Sequence, residues 1–174
     1  MHKLLFFAAL LAILPAAHAQ HKHVHGEGRL DVTIEGGKIS LALELPLDAA
    51  VGFERAPKND KEKAALAASA QALNDAALYV PTPAANCTLQ SKTVQVPFTG
   101  GGDKHSHHAH EGETHHADIE ATHVYACANP TALKGIETTL FKSFKRLYRL
   151  EVQRSGPTGQ GAMRLTPKKP VLNW

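Results

Sequence analysis

The sequence predicts an α+β domain: a largely antiparallel sheet of six or seven strands, one principal helix, and a disordered histidine-rich insertion between two strands. Three observations lead there. Short segments of alternating apolar and polar residues recur along the chain, mostly separated by turns of hairpin length. One alanine-rich stretch, from Asn59 to Tyr79, instead carries helical spacing. Between two of the alternating segments, Thr99 to Asp118 holds nothing from which an apolar core is built.

The N-terminus sets the context. Met1-His2-Lys3 is basic, Leu4 to Leu14 is apolar, and Ala17-His18-Ala19 has the small-x-small cleavage pattern. Residues 1–19 therefore read as a secretory signal peptide and 20–174 as a single metal-binding domain, with residues 99–118 as its flexible loop. An uncleaved anchor is the competing reading, but the apolar run is short for a bilayer. No later stretch is apolar enough to span one, so the mature chain is expected to carry no transmembrane segment.

From Arg29 the pattern alternates, with Leu30, Val32 and Ile34 on one face and Arg29, Asp31 and Thr33 on the other. Gly36-Gly37 reads as a two-residue hairpin turn, and the return strand points Ile39, Leu41, Leu43 and Leu45 inward. Extended backwards, the first strand sets His21, His23, His25 and Glu27 on its outward face, with imidazoles two residues apart. Asp48 to Phe53 reads as a short helical turn. Asn59 and Glu62 then form a capping-box start to a helix running to Tyr79, with Leu66, Ala70, Leu73 and Ala77 as its apolar stripe.

Cys87 to Val96 reads as a strand, as does the stretch with Ile119, Ala121, His123, Tyr125 and Cys127 on one face. The insertion is then an oversized hairpin connection. Gly135 to Phe141, a strand bearing Tyr148, Leu150 and Val152, and Gln160 to Leu165 complete the sheet, with turns at Lys142-Ser143-Phe144 and Gly156-Pro157-Thr158-Gly159.

Two cysteines in an exported chain predict one disulfide, Cys87 to Cys127. Two free thiols on a metal is the competing reading, without a Cys-x-x-Cys spacing behind it. Of the twelve residues from His105 to His116, six are histidine: His105, His107, His108, His110, His115 and His116. Neutral imidazole is the commonest metal ligand, and its mixture with Asp103, Glu111, Glu113 and Asp118 suits borderline cations: zinc, or copper or nickel. Ordering a flexible loop costs entropy, so these sites are expected to be plural and of moderate affinity. His21, His23 and His25 offer a second, better-ordered group. His123, on the core face of its strand, reads first as a satisfied sheet histidine.

Other function classes find less support. His110-Glu111-Gly112-Glu113-Thr114-His115 superficially matches a zinc-peptidase motif, but its second histidine is one residue too far and Gly112 disfavours a helix. There is no nucleophile elbow and no phosphate-cradling glycine loop, so a non-enzymatic protein is expected. Lys142, Lys145, Arg146 and Arg149 form a basic patch interleaved with Phe141, Phe144 and Tyr148. Export puts nucleic acid out of reach, leaving a solvated strand edge, anionic lipid or a partner protein as its meaning.

The stretch His23-Val24-His25-Gly26-Glu27-Gly28-Arg29-Leu30-Asp31-Val32 resembles the opening of the ZrgA-like zinc-regulated periplasmic proteins. So do Val51-Gly52-Phe53-Glu54-Arg55-Ala56-Pro57, Gln160-Gly161-Ala162 with Leu165-Thr166-Pro167, and the histidine-rich insertion flanked by one cysteine on each side. The resemblance implies a periplasmic protein of Gram-negative bacteria that binds zinc and assists its acquisition beside a zinc ABC importer. It carries over as ligands His23, His25 and the insertion histidines as a group. Copper or nickel sequestration, and a periplasmic protein-interaction module with incidental histidines, are the alternatives.

Overall fold

The computed structural model describes residues 24–99 and 117–173. The chain runs β1 (Glu27–Glu35), β2 (Lys38–Pro46), α1 (Leu47–Val51), α2 (Asp60–Leu73), β3 (Tyr79–Pro81), β4 (Cys87–Gln95), β5 (Asp118–Cys127), β6 (Gly135–Thr138), α3 (Leu140–Ser143), β7 (Arg149–Gly156), β8 (Gly159–Leu165) and β9 (Val171–Asn173). Six strands form one mixed sheet in the order β4-β5-β2-β1-β7-β8, and β3-β6-β9 form a second. The α+β class stands.

Local chemistry accounts for the first hairpin. Gly36 and Gly37 both take positive φ, 55° and 78°, which a two-residue turn with the twist of the flanking strands requires. Register follows from it, with Arg29 opposite Glu44 and Glu35 opposite Lys38. Leu30, Val32, Ile39, Leu41, Leu43 and Leu45 are all buried on one face. Leu66 and Leu73 of α2 and Tyr79, Ile136 and Leu172 of the small sheet belong to the same core. The other face of the large sheet carries paired charges, among them Arg29 with Asp31 and Arg164 with Glu151, as a sheet wet on one side permits.

The structure departs from the sequence reading in several places. The main helix ends at Leu73 rather than Tyr79, because the Asn74 side-chain amide donates to the Ala70 carbonyl and Asp75 caps a separate 3₁₀ turn, Ala76–Leu78. That turn and β3 are held by the Tyr125 hydroxyl, which donates to the carbonyls of Ala76 and Tyr79. Residues 140–143 are helical, so the strand from Gly135 stops at Thr138. Tyr148 precedes its strand and is 49 % exposed rather than inward. A short strand, β9, follows Pro170. Finally, β1 pairs parallel to β7, Glu27 opposite Arg149 and Leu30 opposite Val152, inside an otherwise antiparallel sheet.

Cys87 and Cys127 are directly opposite each other in the β4–β5 ladder and are joined by the disulfide. His123 is fully buried on the core face of β5, with Nε2 3.0 Å from the Leu73 carbonyl and its ring edge-on to Tyr79. It serves the docking of α2, as a sheet histidine. No helix among the described residues is long and apolar enough to cross a membrane.

Candidate metal centre

The hairpin register places the site. Carrying the antiparallel pairing of Arg29 with Glu44 four residues further along each strand sets His25 level with Asp48. Neither residue is in a strand. Pro46 ends β2 and Asp48 lies in the first turn of α1, while Gly26, at φ 73°, turns the chain away from the line of β1. This corrects the sequence reading of an extended outward face. A left-handed residue between His25 and Glu27 breaks the two-residue alternation that would have put these two side chains on one strand face.

The turn is closed by a hydrogen bond from Glu27 N–H to the Val24 carbonyl, 3.0 Å. It is clamped by residues 148 and 149. Tyr148 N–H donates to the Gly26 carbonyl at 3.0 Å, its hydroxyl donates to Glu27 at 2.7 Å, and Arg149 pairs with the same carboxylate. Burial pushes the Glu27 carboxyl up, but the Arg149 and Tyr148 hydrogen bonds outweigh it and hold the group below its ordinary value.

Glu54 arrives from the other side. α1 ends at Gly52, whose φ of 89° is the left-handed C-cap that reverses the chain. Beyond it, Arg55 lies over the Phe53 ring at 5.2 Å and makes a two-pronged pair with Glu62 at 2.8 and 2.9 Å. This ties the segment bearing Glu54 to the first turn of α2. The Arg55 hydrogen bonds, helped by the Lys58 backbone N–H, lower the Glu62 carboxyl to about 2. Glu62 thus reaches Lys58 N–H rather than closing the box on Asn59, whose side chain still accepts from Glu62 N–H at 2.9 Å.

The result is a convergence of three donors. His25 Nδ1 lies 3.0 Å from Asp48 Oδ2 and 3.6 Å from Glu54 Oε1, and all three ligand atoms fall within 4.8 Å of one another. Donors about 2.1 Å from a tetrahedral zinc stand roughly 3.4 Å apart, so the two histidine distances bracket what the ion requires. The carboxylates are mostly buried, with side chains 19 % and 23 % exposed, whereas His25 is 73 % exposed. Asp48 Oδ1 is buried with no hydrogen-bond partner among the described residues. An orphaned carboxylate oxygen is costly in that state, and a cation would relieve it.

Of the residues singled out from sequence, His25 is therefore in the convergence. His21, His23 and the six insertion histidines His105, His107, His108, His110, His115 and His116 lie outside the described residues. The flank of the insertion is nonetheless located: Leu47 N–H donates to the Ala117 carbonyl at 2.9 Å, and Pro46 is opposite Asp118 in the β2–β5 ladder. The chain leaving the insertion meets the domain one residue from Asp48. Asp48 and Glu54 are not evident from residue type alone, since isolated acids in a charged sequence carry no signal. The hairpin register around Gly36-Gly37 was the one clue to Asp48.

One imidazole and two carboxylates, with both cysteines consumed in the disulfide, make a nitrogen and oxygen donor set for a borderline divalent cation rather than a soft monovalent one. Comparison with protein families matches residues 22–174 to the ZrgA family zinc uptake protein. The chain belongs to that family, and its function is zinc-related. Among curated proteins, none matches the chain.

Proposed function

We propose that this chain captures zinc in the periplasm, after removal of residues 1–19 as a signal peptide, and buffers the ion for an importer. It does so as a binding protein, without catalysis. His25, Asp48 and Glu54 form the framework site, and His21 and His23, a few residues upstream, offer the remaining imidazole ligand. The insertion histidines collect ions more loosely and deliver them to it. The observation that carries this reading is the joint placement of the His25–Asp48–Glu54 convergence and the Ala117 flank of the insertion on consecutive residues, Leu47 and Asp48.

The framework site needs little reorganisation, since its ligands are held by a hairpin, a helix cap and an arginine pair. The insertion offers six histidines, and so more places for an ion. Tighter binding at the framework and greater capacity in the insertion follow. The periplasmic partner is the metal-receiving component of a zinc ABC importer.

Calorimetric titration of the chain with zinc tests this. Replacing the six insertion histidines by serine should remove several weak equivalents and leave one tight one. Adding H25A or D48N to that background should weaken the remaining site by about tenfold or more. If the tight equivalent disappears with the insertion histidines, or survives H25A together with D48N, the reading fails.

A further inference from the structure

The basic patch that the sequence reading left without a role borders the metal centre. Arg146 touches both ligand-bearing turns. Its carbonyl oxygen would stand 2.9 Å from a Cβ at Gly26, the neighbour of His25. Its guanidinium lies over Gly52, where a Cβ would be 2.8 Å from Nε and Cζ. Gly52 is the residue whose N–H closes α1 on the Asp48 carbonyl at 2.9 Å, two residues before Glu54.

Arg146 is exposed, as are Lys142, Lys145 and Tyr148 on the same surface segment. The side chains of Lys142, Lys145 and Arg146 make no hydrogen bond or ion pair among the described residues. This sets them apart from Arg29, Arg55, Arg149 and Arg164, each of which is paired with a carboxylate. Arg146 and the exposed Tyr148 ring thus border the ligand-bearing turns, with Lys142 and Lys145 unneutralised on the same segment, beside a site whose two carboxylates are balanced once a divalent cation is bound. The loaded site then has a rim of net positive charge.

We infer that residues 142–148 are the docking surface for the protein that exchanges zinc with this chain, and that the surface this partner presents is acidic. The inference rests on the metal-site reading above. Ligand exchange requires an incoming donor to approach the bound ion, and a carboxylate-bearing acceptor is drawn to Lys142, Lys145 and Arg146 as it does so. Tyr148, half-exposed and hydrogen-bonded to Glu27, offers that acceptor a rigid apolar contact next to the His25 turn. A protein rather than a lipid surface is favoured because the cations flank an ion that has to be handed on, and exchange needs ligands, which acidic side chains supply.

The test uses the full chain carrying serine at the six insertion positions, loaded with one equivalent of zinc. Transfer is followed by stopped-flow absorbance to two probes, a tetracarboxylate chelating dye and a neutral terpyridine. Wild-type rim residues should speed transfer to the anionic dye by about tenfold over K142Q/K145Q/R146Q at low ionic strength, with the gap closing as salt screens it. Transfer to terpyridine should differ less than twofold between them.

Equal rates for both probes in both proteins overturn the inference. So does equal slowing towards both probes, which would make the rim a structural support of the site. Sedimentation of the chain with vesicles of anionic phospholipid, lost in the triple variant while transfer rates stay unchanged, overturns it in favour of a membrane. Failure of the metal-site reading is seen separately, as no tight zinc equivalent in the loaded starting protein.

Discussion

The phenol ring of Tyr148 lies against Gly26: a Cβ at that position would stand 2.7 Å from both Cδ1 and Cε1 of the ring. Gly26 also has a φ of 73°, a conformation that L side chains rarely adopt. Gly26→Ala should therefore destabilise the fold by about 2 kcal/mol, combining left-handed strain with displacement of the ring. Because the same turn presents His25, zinc affinity should fall with stability. Denaturant unfolding and zinc titration of the variant check both.

Glu62 governs an acid-sensitive joint. Its carboxyl sits at about 2, held down first by Arg55 and then by the Lys58 backbone N–H, against an ordinary 4.5. The native state thus binds fewer protons there than the unfolded chain. Its contribution is present above about pH 4.5 and is lost as pH falls from there towards 2. Glu62→Gln should lower the unfolding midpoint at pH 7, and the two proteins should converge near pH 2 to 3 in a thermal series.

His123 titrates with the same sign for a different reason. Burial lowers its imidazole, opposed by the hydrogen bond to the Leu73 carbonyl, so the folded protein keeps it neutral below the pH at which an unfolded histidine takes its proton. Stability should fall as pH drops below about 6.5. His123→Leu should be less stable at pH 7, leaving the Leu73 carbonyl without its partner, and should lose that part of the pH slope. Native-state NMR titration of the imidazole, with unfolding at pH 5.5 and 7.5, decides it.

The Cys87–Cys127 disulfide joins residues 40 apart in sequence, directly opposed in the β4–β5 ladder. By the chain-entropy relation, closing a loop of that length restricts the unfolded state by about 4 kcal/mol. Reduction, or replacement of both cysteines by serine, should lower stability by about 2 to 4 kcal/mol, measured by denaturant unfolding with and without reductant.

Much of this architecture is legible in short stretches. Alternation identified β1, β2 and β5, Gly36-Gly37 identified the first turn, and Asn59 identified the start of α2, because each depends on neighbours within a few residues. Helix ends and the short elements were harder. The stop at Leu73 depends on Asn74 and Asp75 reaching back and forward for backbone partners. β9 has three residues, too few for a period to be read.

The site divides in the same way. Histidine enrichment and the two cysteines were plain from residue type, and they were enough to indicate metal ligation and a disulfide. That His25 meets Asp48 and Glu54 depends on several pairings acting together. The hairpin brings the end of β2 level with the start of β1. The parallel pairing of β1 with β7 carries Tyr148 and Arg149 onto the Gly26 turn, 121 and 122 residues along the chain from Glu27. Gly52 then folds Glu54 back. By itself the sequence determined which residues were suited to hold zinc, since ligand chemistry belongs to the side chain. Only the tertiary structure decided that His25 converges with Asp48 and Glu54, because that depends on long-range strand pairing, which local periodicity does not encode.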